Sequence, residues 1–125
     1  VHPIPAELGA EAAVMAYERT VCDAMPFDLV ILGLGEDGHT ASLFPGHQHR
    51  SEALVVPVHD APKPPAQRVS LGVPALRRCH QQLVIVTGAG KHPAMSRWMA
   101  GEDLPVTRVT EGANTLLLAD RAATA

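Results

Sequence analysis

Phe27 to Gly46 read FDLVILGLGEDGHTASLFPG, and the architecture follows from how that stretch changes character halfway along. Asp28 to Leu34 is a continuous aliphatic run with Pro26 before it and glycines after it, the pattern of a strand buried on both faces of a parallel sheet. Such a strand hands the residues that follow to the carboxyl edge of the sheet, where open α/β folds hold their ligands. Here those residues are Gly33, Gly35 and Gly38, with Glu36, Asp37 and His39 among them. Glycines admit positive φ and crowd nothing, so the loop is built to present His39.

Gly33, Gly35 and Gly38 also satisfy G-x-G-x-x-G, with Asp60 about 20 residues further on, as in a dinucleotide-binding unit. That unit needs a helix directly after its last glycine, its amino end facing pyrophosphate. Phe44, Pro45, Gly46 and the polar HQHRS run leave no room for one, and Glu36 and Asp37 would repel a diphosphate.

Outward from the loop, Ala10, Val14, Tyr17, Val21 and Ala24 recur at intervals of three and four, which predicts an amphipathic helix over Glu7 to Ala24. Ala53 to Val58 and Arg68 to Val73 read as strands, the second with Val69, Leu71 and Val73 opposite a polar face of Arg68, Ser70 and Gly72. Pro74 to His80 reads as a short helix and Gln82 to Thr87 as a second buried strand. That strand runs into Gly88, Ala89, Gly90 and Lys91 and then a helix whose Met95, Trp98 and Met99 are expected in the core. Free amides, glycines and a lysine at a helix start suit an anion, although P-loop spacing is absent. Val106 to Val109 is expected as a short strand, and Leu116 to Ala119 as a strand leading into a helix capped by Asp120.

Composition limits the function. The 125 residues amount to a single α/β domain, 46% hydrophobic, with no apolar run long enough to cross a membrane. A net charge of −3 and 3% aromatic residues argue against nucleic acid as a partner, so any phosphate site must be local. Cys22 and Cys79 fit no metal or redox spacing, and two reduced thiols in a cytoplasmic setting are expected. His47 and His49 form an H-x-H pair without a third ligand at a convincing interval, so they are read as a solvated loop rather than a metal site.

GLGEDGHTASLFPG resembles the signature of the 6-phosphogluconolactonase family, within the glucosamine/galactosamine-6-phosphate isomerase superfamily. The resemblance continues, in order, at APKPPAQRVSL (Ala61 to Leu71), VTGAGK (Val86 to Lys91) and LLLADRAA (Leu116 to Ala123), and opens at VHPIP with the AYE-containing helix. It implies an open, Rossmann-like parallel sheet of the sugar-phosphate isomerase/deaminase type. The matches fall in the carboxyl-terminal half of the family's usual length, so the first strands of the sheet are expected to lie outside this sequence. The resemblance further implies no metal and no cofactor, a small sugar-phosphate lactone as partner, and a monomer or homodimer.

Opening a δ-lactone needs an activated water, a site for charge on the carbonyl oxygen and an anchor for the phosphate. Imidazole, with an ordinary pKa near 6.5, makes His39 the expected base, and Asp37 could orient it. Gly35 and Gly38 are expected to offer amides, and Arg68, Gly88 and Lys91 to bind phosphate. Thr40 and Ser42 lack the setting of a nucleophile elbow. In the related sugar-phosphate deaminases a glutamate stands five residues after the histidine; here Phe44 does, and it cannot relay a proton. A noncatalytic half-chain is the remaining alternative.

Overall fold

The computed structural model describes all 125 residues, Val1 to Ala125. Its centre is a parallel sheet of β1 (Phe27–Leu32), β4 (Cys79–Val86) and β5 (Thr115–Ala119), in the order β1-β4-β5. Phe27 pairs with Cys79 and Leu32 with Val84 on one side of β4, and Gln82 pairs with Thr115 and Val86 with Ala119 on the other. This is the open α/β architecture expected, and because the strands are parallel their carboxyl ends share one edge.

Between β1 and β4 lie β2 (Val55–Val58), β3 (Arg68–Leu71) and the short α2 (Val73–Arg77). β2 and β3 do not extend the sheet but form an antiparallel pair of their own, Val55 opposite Leu71 and Val58 opposite Arg68. The element before Asp60 is thus outside the parallel sheet, and no helix follows Gly38, which removes both structural requirements of a dinucleotide unit. The crossover from β4 to β5 carries a 3-10 turn at Ala89–Lys91, α3 (His92–Met99) and α4 (Pro105–Thr110). α1 (Ala10–Ala24) precedes β1, and α5 (Arg121–Thr124) follows β5 with Asp120 capping it by accepting a hydrogen bond from Ala123 N–H at 2.9 Å.

Several local expectations are corrected. α1 starts at Ala10 rather than Glu7, because Gly9 at φ +88° stands outside helical geometry and leaves Ala6–Leu8 as a separate 3-10 turn. Val106 to Val109 is helix, not strand: Pro105 supplies a preset φ at the first position, and Val106 and Val109, three apart, are both buried. On β3 the polar face is not solvated: Ser70 is buried, its Oγ donating to Leu71 O at 3.0 Å and accepting from Ser42 N–H at 3.1 Å, while Val69 and Leu71 pack partly buried against the smaller cluster. Met99 is 60% exposed and leaves the core to Met95 and Trp98.

Beside a second, smaller cluster that holds Val21, Val55 and Ala75, the main core cluster has 17 buried residues, among them Val30, Leu32, Val84, Val86, Trp98, Leu104, Val106 and Val109. Gln82, fully buried in β4, ties it together: Nε2 donates to Leu76 O at 2.9 Å and Val109 O at 3.0 Å, and Oε1 accepts from Thr115 Oγ1 at 2.7 Å. All its polar atoms are matched, which is what permits a polar side chain there. The expectation that β1 is buried on both faces fails. Val30 and Leu32 face the core, but Leu29 and Ile31 are 49% and 61% exposed, and Ile85, Leu116 and Leu118 share that uncovered side.

Candidate functional site

Gly33 to Phe44 forms a compact loop at the carboxyl end of β1, closed by its own hydrogen bonds. Gly35 N–H donates to His39 O at 2.8 Å, Gly38 N–H to Gly35 O at 2.9 Å, and Thr40 Oγ1 to Gly33 O at 2.8 Å. Thr40, 1% exposed, and Leu43 form an isolated bridge that shuts the base of the loop. Thr40 is therefore a buried structural hydroxyl, as the lack of an elbow suggested.

Within the loop Asp37 folds back on His39. Its Oδ1 accepts from His39 N–H at 3.0 Å and lies 2.6 Å from Nδ1. Partial burial raises the Asp37 carboxyl, but the hydrogen bonds from the His39 backbone and ring together outweigh burial and hold it below its ordinary value. An ionised carboxylate only accepts, so Nδ1 is the donor in this contact and the acceptor of a neutral ring would be Nε2. Gly35 makes this possible: a Cβ there would stand 1.9 Å from Nδ1.

That ring opens on a cleft of about 310 Å³ lined by Gly35, Glu36, Asp37, His39, Phe44, Pro62, Lys63, Arg68 and Lys91. Arg68 and Lys91, far apart in sequence, thus meet His39 in one cavity. Arg68 is anchored by the proline-rich segment, its Nε donating to Pro65 O at 3.0 Å and Nη2 to Lys63 O at 2.8 Å. The remaining guanidinium hydrogens are free for a ligand. Lys63, Arg68 and Lys91 take part in none of the ion pairs of the fold. Three cations against the carboxylates of Glu36 and Asp37 leave the cleft with a positive excess, which suits an anion. No group of three His, Cys, Asp or Glu side chains is placed to hold a metal.

Three glycine expectations change here. Gly38 lies outside the cleft with its amide already donated to Gly35, and its missing side chain makes room for Leu104, which a Cβ would meet at 2.9 Å. The Gly35 amide is likewise committed to His39 O, so neither offers the substrate a hydrogen bond. Gly88 also lies off the cleft and donates to both Asp120 oxygens, at 3.1 and 3.0 Å. Lys63, inside the APKPPAQRVSL segment, and Phe44 also line the cleft, which nothing in the sequence pattern signals. Glu36 is exposed yet reaches across to Gly90, where a Cβ would stand 3.0 Å from its Oε1.

His47 and His49 lie beyond Phe44 and are half-buried rather than solvated. His49 Nε2 is buried with no partner. Burial first, and then the neighbouring His47, hold its pKa below the ordinary 6.5. A histidine depressed in the folded state contributes stability that is present above the unfolded value and lost as pH falls through the folded one. His49→Gln is therefore expected to lose less melting temperature than the parent on acidification from pH 7 to about 5, as calorimetry would show; identical losses would mean that His49 is solvated.

The sheet, the loop at its edge and the cleft define an open α/β protein that carries a histidine–carboxylate pair in a cleft shared with Lys63, Arg68 and Lys91. The family described as glucosamine-6-phosphate isomerases/6-phosphogluconolactonase matches residues 1–118. A 6-phosphogluconolactonase of Mycobacterium tuberculosis is 39% identical over 143 aligned residues, covering all of this chain and 58% of that protein. One from Rattus norvegicus is 45% identical over 92 residues, 70% of this chain and 36% of that protein. The crystal structure of a 6-phosphogluconolactonase from Thermotoga maritima superposes with a TM-score of 0.85 at 30% identity, over 95% of this chain and 55% of that one. The chain belongs to the glucosamine-6-phosphate isomerase/6-phosphogluconolactonase family, and it spans little more than half the length of the fully matched mycobacterial relative. Cys22 and Cys79 are free thiols, and no helix is long and apolar enough to cross a membrane.

Proposed function

We propose that this chain supplies the catalytic cleft of a 6-phosphogluconolactonase, hydrolysing 6-phospho-D-glucono-1,5-lactone to 6-phosphogluconate without a cofactor. The observation that carries this reading is the 2.6 Å contact between His39 Nδ1 and Asp37 in a cleft shared with Arg68 and Lys91. His39 Nε2 takes a proton from water as the water oxygen attacks the lactone carbonyl carbon. The bond from that carbon to the ring oxygen then breaks, and the imidazolium returns its proton to the ring oxygen, which becomes a hydroxyl of the open acid. Asp37 holds the ring in the Nδ1–H tautomer and offsets its transient positive charge. Arg68 and Lys91, joined by Lys63, grip the phosphate and turn that remote binding into placement of the carbonyl beside the base.

These residues belong to a single α/β domain, which we place in the carboxyl-terminal half of a domain of the relatives' length. The uncovered aliphatic side formed by Leu29, Ile31, Ile85, Leu116 and Leu118 supports that placement, because sheets of this class carry cover on both faces. The protein is expected to accelerate lactone hydrolysis above the spontaneous rate, and Arg68→Gln or Lys91→Gln each to raise KM about tenfold with a smaller change in kcat. No acceleration would remove the lactonase reading, and ammonia released from glucosamine 6-phosphate would replace it with a deaminase.

A further inference from the structure

Phe44 occupies a position that its apolar character alone does not explain. It is 4% exposed and counts among the core residues, yet it also lines the cleft. Its ring centroid lies 4.7 Å from that of His39, tilted by 44°, and the Arg68 guanidinium carbon lies 5.3 Å from the same centroid. Both values fall in the range of attractive aromatic and cation–π contacts. The backbone fixes the ring independently of either partner: the bridge from Thr40 to Leu43 precedes it, and Phe44 O accepts from His47 N–H at 3.2 Å. Asp37 holds His39 by one edge and the backbone carbonyls hold Arg68 by two of its nitrogens, so each side chain retains a swing about those anchors.

We infer that Phe44 is a positioning residue that sets the distance between the proton-accepting imidazole and the phosphate-binding guanidinium, an inference that rests on the lactonase reading of the same cleft. A lactone whose phosphate sits on Arg68 presents its carbonyl to His39 only if the two groups keep a fixed separation. A leucine at 44 fills much of the core volume but offers neither a flat face nor a quadrupole, so both groups drift.

Phe44→Leu is expected to lower kcat about tenfold and to raise KM about tenfold, since misplacement by an ångström is enough for losses of that order. Val21→Ala truncates a buried side chain of the second, smaller cluster and is the control: it lowers the melting temperature but changes kcat and KM by less than about twofold. Proton NMR of the parent is expected to show cross-relaxation from the Phe44 ring both to the His39 ring and to the Arg68 side chain. In Phe44→Leu the His39 ring protons lose their ring-current displacement. Parent kinetics in Phe44→Leu, an equal activity loss in Val21→Ala, or a parent spectrum without those two contacts would each overturn the inference. The spectra do not depend on turnover: a parent that fails to hydrolyse the lactone but shows both contacts removes the lactonase reading and leaves the positioning intact. If Phe44→Leu fails to fold, the parent spectrum alone decides.

Discussion

Replacing His39 with alanine lowers kcat for lactone hydrolysis about a thousandfold, while the protein keeps its melting temperature to within a few degrees. The size follows from general-base assistance, which contributes two to four orders of magnitude. The small cost in stability follows from the position of the side chain. It is about one-third exposed, and its ring bonds only to Asp37. The loop around it is closed by backbone bonds and by Thr40, none of which involves the imidazole. KM changes little, because the phosphate contacts remain. Steady-state kinetics with a thermal melt on the same sample checks both halves, and an alanine variant that turns over as fast as the parent would remove His39 from the chemistry.

The second large effect is expected from a residue with no chemistry of its own. Gly35→Ala places a methyl carbon 1.9 Å from His39 Nδ1 and 2.1 Å from Cε1, far inside any permitted contact. The ring must leave its position and with it the hydrogen bond to Asp37. Loss of kcat comparable to that of His39→Ala is predicted, about two to three orders of magnitude. Unlike a catalytic deletion, it is accompanied by altered ring resonances of a histidine that is still present. A Gly35→Ala protein with parent turnover would show that the His39 ring does not work from this position.

These two residues also show how far the sequence could be read. The glycine spacing in GLGEDGH, after an aliphatic run, announced a loop at a sheet edge that offers a histidine, and Asp37 two residues away was within reach of its ring. Arg68 and Lys91 stood in segments whose order matched a known family, and the fold brings both to the His39 cleft. What the letters did not carry was where each amide points. Gly35, Gly38 and Gly88 look like open donors in one dimension, but closing the loop uses the first two and capping by Asp120 uses the third. Burial on only one face of β1 was equally hidden, because Leu29 and Ile31 read as core residues whether or not anything covers them. Val106 to Val109 reads as a strand because Val106, Thr107 and Val109 are β-branched; the preset proline and the packing of Val106 and Val109 override that preference in the helix Pro105–Thr110.

The most direct test of the central claim is a crystal structure of the protein with 6-phosphogluconate bound. The account predicts the product phosphate on Arg68 and Lys91 and one carboxylate oxygen within about 3 Å of His39 Nε2, hydrogen-bond reach of the base to the oxygen it activates. A phosphate seated elsewhere, or an imidazole turned away from the carboxylate, would contradict it.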